Sequence, residues 1–382
     1  MAAAAAAALG TRLRGGVVVG VPQAGAPGPT RLERLTGGHP VPNAGSEAAG
    51  RRALAMAAAA RPDERVLVLL SGGASALLAA PAAGLTLADK QRATTVLLNE
   101  GAEIHRLNAV RKHLSAIKGG QLAVATLAPS LTLLISDVVG DDPSVVASGP
   151  TVADSSTFRD ALDALDHLGG RAAYPAAVVA HLERGVAGGS AETPKPGDPR
   201  LARAGAMVVG GRRQAMEGAA ATARRLGYHV VVLEQPVVGE AREAAVAQIG
   251  HMAEAAAVAD RPVCVISSGE TTVRVTGLGR GGRNQEFALA AATMREHLGT
   301  SAPGRWTMLA SVGTDGVDGP TDAAGALVDS TTVERARRAG LAPPGAFLQN
   351  NDAYAFFAPL GDLIRTGPTG TNVGDLQVFL SV

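Results

Sequence analysis

Several short runs of this 382-residue chain combine residue types that can handle anions or phosphoryl groups. In Leu69-Leu70-Ser71-Gly72-Gly73-Ala74-Ser75 an apolar stretch meets small polar residues and then a helical pattern. Glycine lets a ligand approach the backbone, and a helix start offers free N–H groups to a phosphate or carboxylate. Ser71, Gly72, Gly73 and Ser75 are therefore candidate anion ligands, although a plain strand-to-helix turn has the same composition. Further on, Asn108, Arg111, Lys112 and Ser115 follow the i, i+3, i+4, i+7 spacing that shares one helix side. Such a stripe faces either an anion or solvent. Asp137 follows the apolar run at 131–135, where open α/β sheets bind ligands at strand carboxyl ends. It can hold Mg²⁺, orient a hydroxyl or cap a turn. Asp141 and Asp142, just before Pro143, read as turn residues.

Three more runs lie in the second half. Ser267-Ser268-Gly269-Glu270-Thr271 leads to Gly277, Gly279 and Gly282, a G-x-G-x-x-G that alone is a weak dinucleotide signal. Arg283-Asn284-Gln285-Glu286 follows at an expected helix start, where arginine gains nothing from the dipole but could pair with phosphate oxygens. Glu270, Thr271, Asn284 and Glu286 join the candidate substrate- and phosphate-binding set. Gly313-Thr314-Asp315-Gly316-Val317-Asp318 lacks EF-hand spacing, yet Asp315 could hold one Mg²⁺ with substrate oxygens completing the shell. A structural turn reads the same way. Thr366-Gly367-Pro368-Thr369-Gly370-Thr371-Asn372-Val373-Gly374-Asp375-Leu376 suits an anion or a ribose, or a mobile C-terminal loop.

These runs must be positioned by regular elements. Apolar stretches at 17–19, 66–70, 131–135, 207–209, 229–233, 263–266, 273–276 and 307–311 read as strands. Helical patterns cover 44–60, 87–104, 157–168, 213–226, 241–257 and 285–297. Their alternation predicts an α/β protein with mainly parallel sheets flanked by helices. Glycines and prolines at 185–200 predict an exposed linker, giving domains at 1–190 and 200–382. The alanine run after Met1 reads as a helix ending at Gly10, with no turn ahead of it.

Composition narrows the field. Thirty-five basic against 34 acidic residues give a net charge of +1, which offers no footing for nucleic acid or an anionic membrane. No apolar run approaches the roughly 18 residues of a membrane span. The single cysteine, Cys264, fits a reducing, cytoplasmic setting. Aromatics are 3% of the chain, so the core is expected from Ala, Val and Leu. Lys90, Lys112, Lys118 and Lys195 are the only lysines and stand out for that reason.

Taken in order, His39-Pro40-Val41-Pro42, Ser71-Gly72-Gly73-Ala74-Ser75, Asn108-Ala109-Val110-Arg111-Lys112-His113-Leu114-Ser115, Ser136-Asp137-Val138, Gly281-Gly282-Arg283-Asn284-Gln285-Glu286, Gly313-Thr314-Asp315-Gly316 and Gly367-Pro368-Thr369-Gly370-Thr371-Asn372 resemble the class II glycerate 2-kinase family. The resemblance implies a Rossmann-like N-terminal domain, a MOFRL-type C-terminal domain and an active site in the cleft between them. It implies ATP- and Mg²⁺-dependent phosphorylation of D-glycerate at its 2-hydroxyl, giving 2-phosphoglycerate and ADP. Arg283 would stabilise the transferring phosphoryl group, with Asp315 first and Asp137 second as partners for metal or hydroxyl. The family's catalytic lysine sits in a Gly-Lys-Ala segment ahead of the alanine-rich helix, so this chain reads as truncated at its N-terminus. Serine at 268, where the family has glycine, is expected to add a Cβ to a tight turn. Two other readings stay open: an NAD(P)H-dependent hydroxypyruvate reductase, and a form that binds nucleotide or glycerate without turnover. A homodimer is compatible with each.

Overall fold

The computed structural model describes residues 1–21, 31–294 and 306–382, which form two compact units. The first comprises 1–134 and 142–209, and the second 135–141 and 210–382. The proline-rich stretch at 185–200 is not where the units part. It is tied down inside the first unit, with Thr193 buried and donating to Asp154 Oδ2 at 2.9 Å.

In the first unit β1 (Gly16–Gly20) and β2 (Leu32–Thr36) pair in parallel. A second sheet has the order β3 (Val66–Leu70), β4 (Ser130–Ile135), β5 (Ala204–Gly210), with β3 and β4 parallel. Helix starts are written in the sequence. Asn43 with Ser46, Thr86 with Asp89 and Thr157 with Asp160 each exchange side chain and backbone bonds as capping boxes. Helix Phe158–His167 places Phe158, Ala161, Leu162 and Leu165 on one buried face, against Leu97, Leu107, Val110 and Leu182. The single helix expected over 87–104 divides into Leu87–Asn99 and Ile104–His113. Gly101 turns the chain between them at φ +70°, a backbone region that suits glycine. The alanine run forms helix Ala2–Leu9, stopped at Gly10, with no buried residue.

Among its described residues the second unit carries seven strands: β6 (His229–Val232), β7 (Val237–Glu240), β8 (Val263–Thr272), β9 (Thr307–Gly313), β10 (Gly325–Asp329), β11 (Leu363–Ile364) and β12 (Asp375–Ser381). β8 lies parallel to β6 and β7, as expected of an α/β sheet. The remaining pairings, β8–β12–β9–β10–β11, are antiparallel, which corrects the expectation of a mainly parallel second sheet. Two of these four pairings belong to β12, which enters between β8 and β9. Its alternation of buried Asp375, Gln377, Phe379 and Ser381 with Leu376, Val378 and Leu380 does not look like a buried strand in sequence. Both faces are nevertheless covered. Phe379 packs with Phe287 of helix Arg283–Ala292, and Leu376, Val378 and Leu380 pack with Met216 and Ala220 of helix Arg212–Arg225. Phe287, Phe356, Phe357 and Phe379 are fully buried, so four of the chain's six phenylalanines sit in this one core despite the low aromatic content.

Two local readings change. Residues 273–276 are not a strand but an irregular approach to the glycine loop. Ser267–Thr271 is not a turn, because β8 runs through it to Thr272. Ser268 therefore fits without strain, and its Oγ accepts from Arg212 Nη1 at 3.0 Å. The crowded position is Gly269, where a Cβ would meet the Val237 carbonyl oxygen at 1.9 Å. Of the helix expected over 285–297, the described part is Arg283–Ala292, and residues 295–297 lie outside the described residues.

Candidate functional site

Helix Arg283–Ala292 is buried from Asn284 onward, so every polar group in its first turn needs a partner. Its N-cap, Gly282, has no side chain to supply one. Asp318 does so from another loop, accepting the N–H groups of Asn284 at 3.0 Å and Gln285 at 2.9 Å. Burial raises the Asp318 carboxyl, and those two N–H bonds oppose the rise. A Cβ on Gly282 would lie 2.3 Å from Asp318 Cγ. Gly282→Ala is expected to push the cap away at a cost of about 1–3 kcal/mol. The check is the urea midpoint; an unchanged midpoint would show that the Asp318 loop gives way freely.

Arg283 projects from this start. Its Nη1 donates to Glu270 Oε1 at 2.9 Å, and its Nη2 to Asp375 Oδ1 at 3.0 Å. Nε lies 2.8 Å from Asp375 Oδ2, close enough for ion pairing but off-line for a hydrogen bond. Asn284 Nδ2 also donates to Asp375 Oδ1 at 2.9 Å, and Asn284 Oδ1 accepts from Ser311 at 2.7 Å. The guanidinium is thus fixed in plane by strands β8 and β12. One hydrogen on each Nη has no acceptor among the described residues, and the side chain is 28% exposed.

The electrostatics follow from this geometry. Burial raises the Asp375 carboxyl, and Arg283 only partly offsets it. Burial likewise raises Glu270; Arg283 lowers it, while Asp137 and Asp375 push it further up. Burial works against charge on Arg283, but Asp375 and Glu270 outweigh it and hold the guanidinium above its ordinary value. Asp375 and Glu270 meet the guanidinium directly, and Asp137 acts on Glu270 from beside them.

Other expected residues converge here. Asp137 belongs to the second unit, and its Oδ2 accepts from Asn372 at 3.3 Å. The 313–318 loop packs on the 366–374 loop. Thr369 N–H donates to the Asp315 carbonyl at 2.9 Å, and Thr314 Oγ1 to the Gly374 carbonyl at 2.7 Å. Gly316, at φ +82°, has a hydrogen-only space, since a Cβ would meet the Gly367 carbonyl at 2.0 Å. Asp315 Oδ1 accepts from Val317 N–H at 3.0 Å. Thr271 is buried in β8, where its N–H supports Asp375. Glu286 is placed differently from expectation. It is buried and holds Arg242 at 2.8 Å and Asn351 at 2.7 Å, so it braces the scaffold instead of facing a ligand.

That brace explains the G-x-G-x-x-G. Asn351 Oδ1 accepts the N–H of Thr276 and Gly277, Asn350 that of Leu278, and Asp352 that of Arg280. A Cβ on Gly277 or Gly279 would lie 2.3 Å from Asn350 or Asp352 atoms. These glycines serve the approach of the 350–352 segment. The N–H groups of Thr276 to Arg280 are thus spent on this segment and do not face a dinucleotide pyrophosphate as that fingerprint's do.

The remaining candidates lie in the first unit. Gly73, at φ +79°, starts the short helix Ala74–Leu77 beside the His39 ring, and Ser71 is exposed with Gly72 half-buried. Ser75 Oγ is 3.1 Å from Ser148 Oγ, which donates to Asn108 Oδ1 at 2.9 Å. Lys112 is placed differently from expectation: it turns inward to Asp154 at 3.0 Å, both nearly inaccessible. Arg111 is half-buried and makes no hydrogen bond or ion pair among the described residues.

Burial disfavours ionised Asp154, but Lys112 and Ser156 outweigh it and hold its carboxyl below the ordinary 3.8. A carboxyl lowered on folding stabilises the native state above its unfolded value, and that contribution disappears as pH falls through the folded value. Asp154→Asn should flatten the loss of stability below about pH 4. Lys112→Met, which strands the buried carboxylate, should cost about 3–5 kcal/mol at neutral pH. Both are read by denaturation across pH, and a wild-type-like Lys112→Met would dismiss the pair.

Asp318 and Asp375 each lie within a candidate run, yet neither the capping role of the first nor the grip of the second on Arg283 has a local signal. Lys90 and Lys118 had one signal, the scarcity of lysine.

Comparison with known proteins places these features. A family model described as "Domain of unknown function (DUF4147)" matches residues 1–183, and the MOFRL family model matches 263–375. The chain is 37% identical over 354 residues to the glycerate 2-kinase of Pyrococcus horikoshii, spanning 92% of this chain and 78% of that protein. It is 42% identical over 362 residues to an Agrobacterium vitis protein with the provisional name hydroxypyruvate reductase, covering 92% and 77%. The crystal structure of glycerate kinase from Thermotoga maritima superimposes with a TM-score of 0.88 at 38% identity, covering all of this chain and 88% of that one.

Proposed function

The chain belongs to the class II glycerate 2-kinase family, and on that footing we propose that it transfers the γ-phosphoryl group of ATP to the 2-hydroxyl of D-glycerate, giving 2-phosphoglycerate and ADP. The observation that carries this reading is Arg283, fixed in plane by Asp375 and Glu270 with guanidinium hydrogens left over. Phosphoryl transfer asks a protein mainly for positioning and charge neutralisation, and a planar fork held this way meets phosphoryl oxygens without further ordering.

Mg²⁺ fits this residue set only as an ion shared with substrate. Among the described residues no three Asp, Glu, His or Cys side chains are arranged as a metal cage. Asp315 keeps Oδ2 without a hydrogen bond among the described residues, and Asp137 stands next to the Glu270 cluster, so each could give one carboxylate oxygen. When bound, the ion would neutralise phosphate charge. The carboxylate left unligated is suited to orienting the substrate hydroxyl.

The reductase reading draws little support from the glycine loop, whose N–H groups from Thr276 to Arg280 are bonded to residues 350–352. ADP release from ATP and Mg²⁺ with D-glycerate, set against nicotinamide absorbance with hydroxypyruvate, tests both. Glycerate-dependent ADP is expected; nicotinamide oxidation without it would overturn the proposal.

A further inference from the structure

Most half-buried arginines of the second unit have a carboxylate: Arg242 has Glu286, Arg283 has Asp375 and Arg335 has Asp362, while Arg212 donates to Ser268 Oγ and the Glu234 carbonyl. In the first unit Lys112 has Asp154. Lys90, Arg111 and Lys118 are a group of three cations with no such partner. They influence one another electrostatically, and among the described residues none has a carboxylate partner. Lys90 is buried and donates only to the Leu114 carbonyl, at 2.8 Å. Lys118 is buried and donates to Ser75 O at 2.9 Å, Ser75 Oγ at 3.1 Å and Ala147 O at 3.3 Å. Arg111 has five donors and uses none among the described residues. Ala147, Ser148 and Gly149 beside them all have left-handed backbone, at φ +54°, +60° and +57°. Two of these are not glycine, a conformation that persists where surroundings enforce it. Lys118 on Ala147 O and Asn108 on Ser148 Oγ provide that enforcement.

We propose that Lys90, Arg111 and Lys118, with the Ser75 hydroxyl, form a site for a small oxyanion, a carboxylate or phosphoryl group that supplies the negative charge the fold omits. The proposal uses the kinase reading only to choose which anions to test.

Without the anion the ammonium forms of both lysines are disfavoured. Burial, then Arg111, pushes Lys90 down to about 7, and burial with the charges of Lys90 and Arg111 pushes Lys118 well below its ordinary value. The other charged groups in reach are His181, which feels Lys90, and the internally matched Lys112–Asp154 pair next to Gly119. An arriving anion favours the ammonium forms, so binding takes up protons.

The test is isothermal titration of the full chain with inorganic phosphate, D-glycerate and ATP separately, at pH 8 in two buffers of unequal ionisation heat. At least one anion is expected to bind with proton uptake, and its affinity should fall by up to about tenfold per pH unit above 7 for each linked proton. Glycerate alone binding assigns a carboxylate; phosphate or ATP binding assigns a phosphoryl group. Arg111→Gln and Lys90→Met should each weaken that binding at least tenfold. Arg106→Gln, on the exposed side of the same helix, should leave it unchanged. Lys90→Met should also not lower the melting temperature of the unliganded protein, because it removes a buried amine that no carboxylate compensates. Equal binding by Arg111→Gln and wild type, proton-free binding, or no binding of any of the three overturns the proposal. Glycerate-dependent ADP release from the wild type is scored separately, so loss of this site and loss of the kinase reading are told apart.

Discussion

Arg283→Lys is expected to lower glycerate-dependent ADP release on the order of 10²–10³-fold, about 3–4 kcal/mol, by analogy with removal of one positioned charge stabiliser. Charge alone does not make the site. Arg283 directs Nε and Nη2 at Asp375, Nη1 at Glu270, and still has hydrogens on both Nη atoms. An ammonium has three donors around one point and cannot satisfy both carboxylates while facing a third anion. The loss should fall mainly in kcat, because the contact forms with the transferring group. Steady-state kinetics on folded variant measures it, and a variant that keeps more than half the wild-type rate would remove Arg283 from the site.

The second large effect is on stability. Every polar contact to the Asp375 carboxylate comes from a donor: Arg283, Asn284 Nδ2 and the Thr271 N–H. Asp375→Asn keeps the shape but turns an NH₂ toward those donors and leaves Arg283 facing a neutral group in a buried setting. Breaking a buried pair in this way costs about 3–5 kcal/mol. For a unit of this size that corresponds to a fall of roughly 10 °C in melting temperature. Calorimetry reads it directly. Asp375→Asn melting within a degree or two of wild type would mean that the carboxylate is already protonated in the native protein and carries no pair.

The same residues show what the sequence makes legible. Helices with capping boxes, such as those after Thr86 and Thr157, and continuous apolar strands such as β3 can be read directly, because their signals are local. Arg283 was conspicuous because a cation at a helix start is out of place. The partner that fixes it, Asp375, lies 92 residues away on a strand with mixed polarity, and no local rule joins the two. Glu286 and Lys112 misled for the converse reason. Their residue types suit a ligand, but a buried carboxylate or ammonium also suits an internal partner, and only the fold shows which one it meets. The glycine motif likewise had two explanations, and the side chains of 350–352 decide between them.

The place of β12 bears on how the protein is made. It follows every other strand of its sheet in sequence, yet lies between β8 and β9, bonded to both along its length. During synthesis β8 and β9 emerge from the ribosome well before the strand that must separate them. At about 5–20 residues per second, several seconds pass in which their facing edges are open. Arg283 is already translated in that interval, while Asp375 is not. The nascent second unit must therefore either hold a gap in its sheet or first pair β8 with β9 and later undo it, and β12, made after the other strands of its sheet, completes both the sheet and the grip on the arginine.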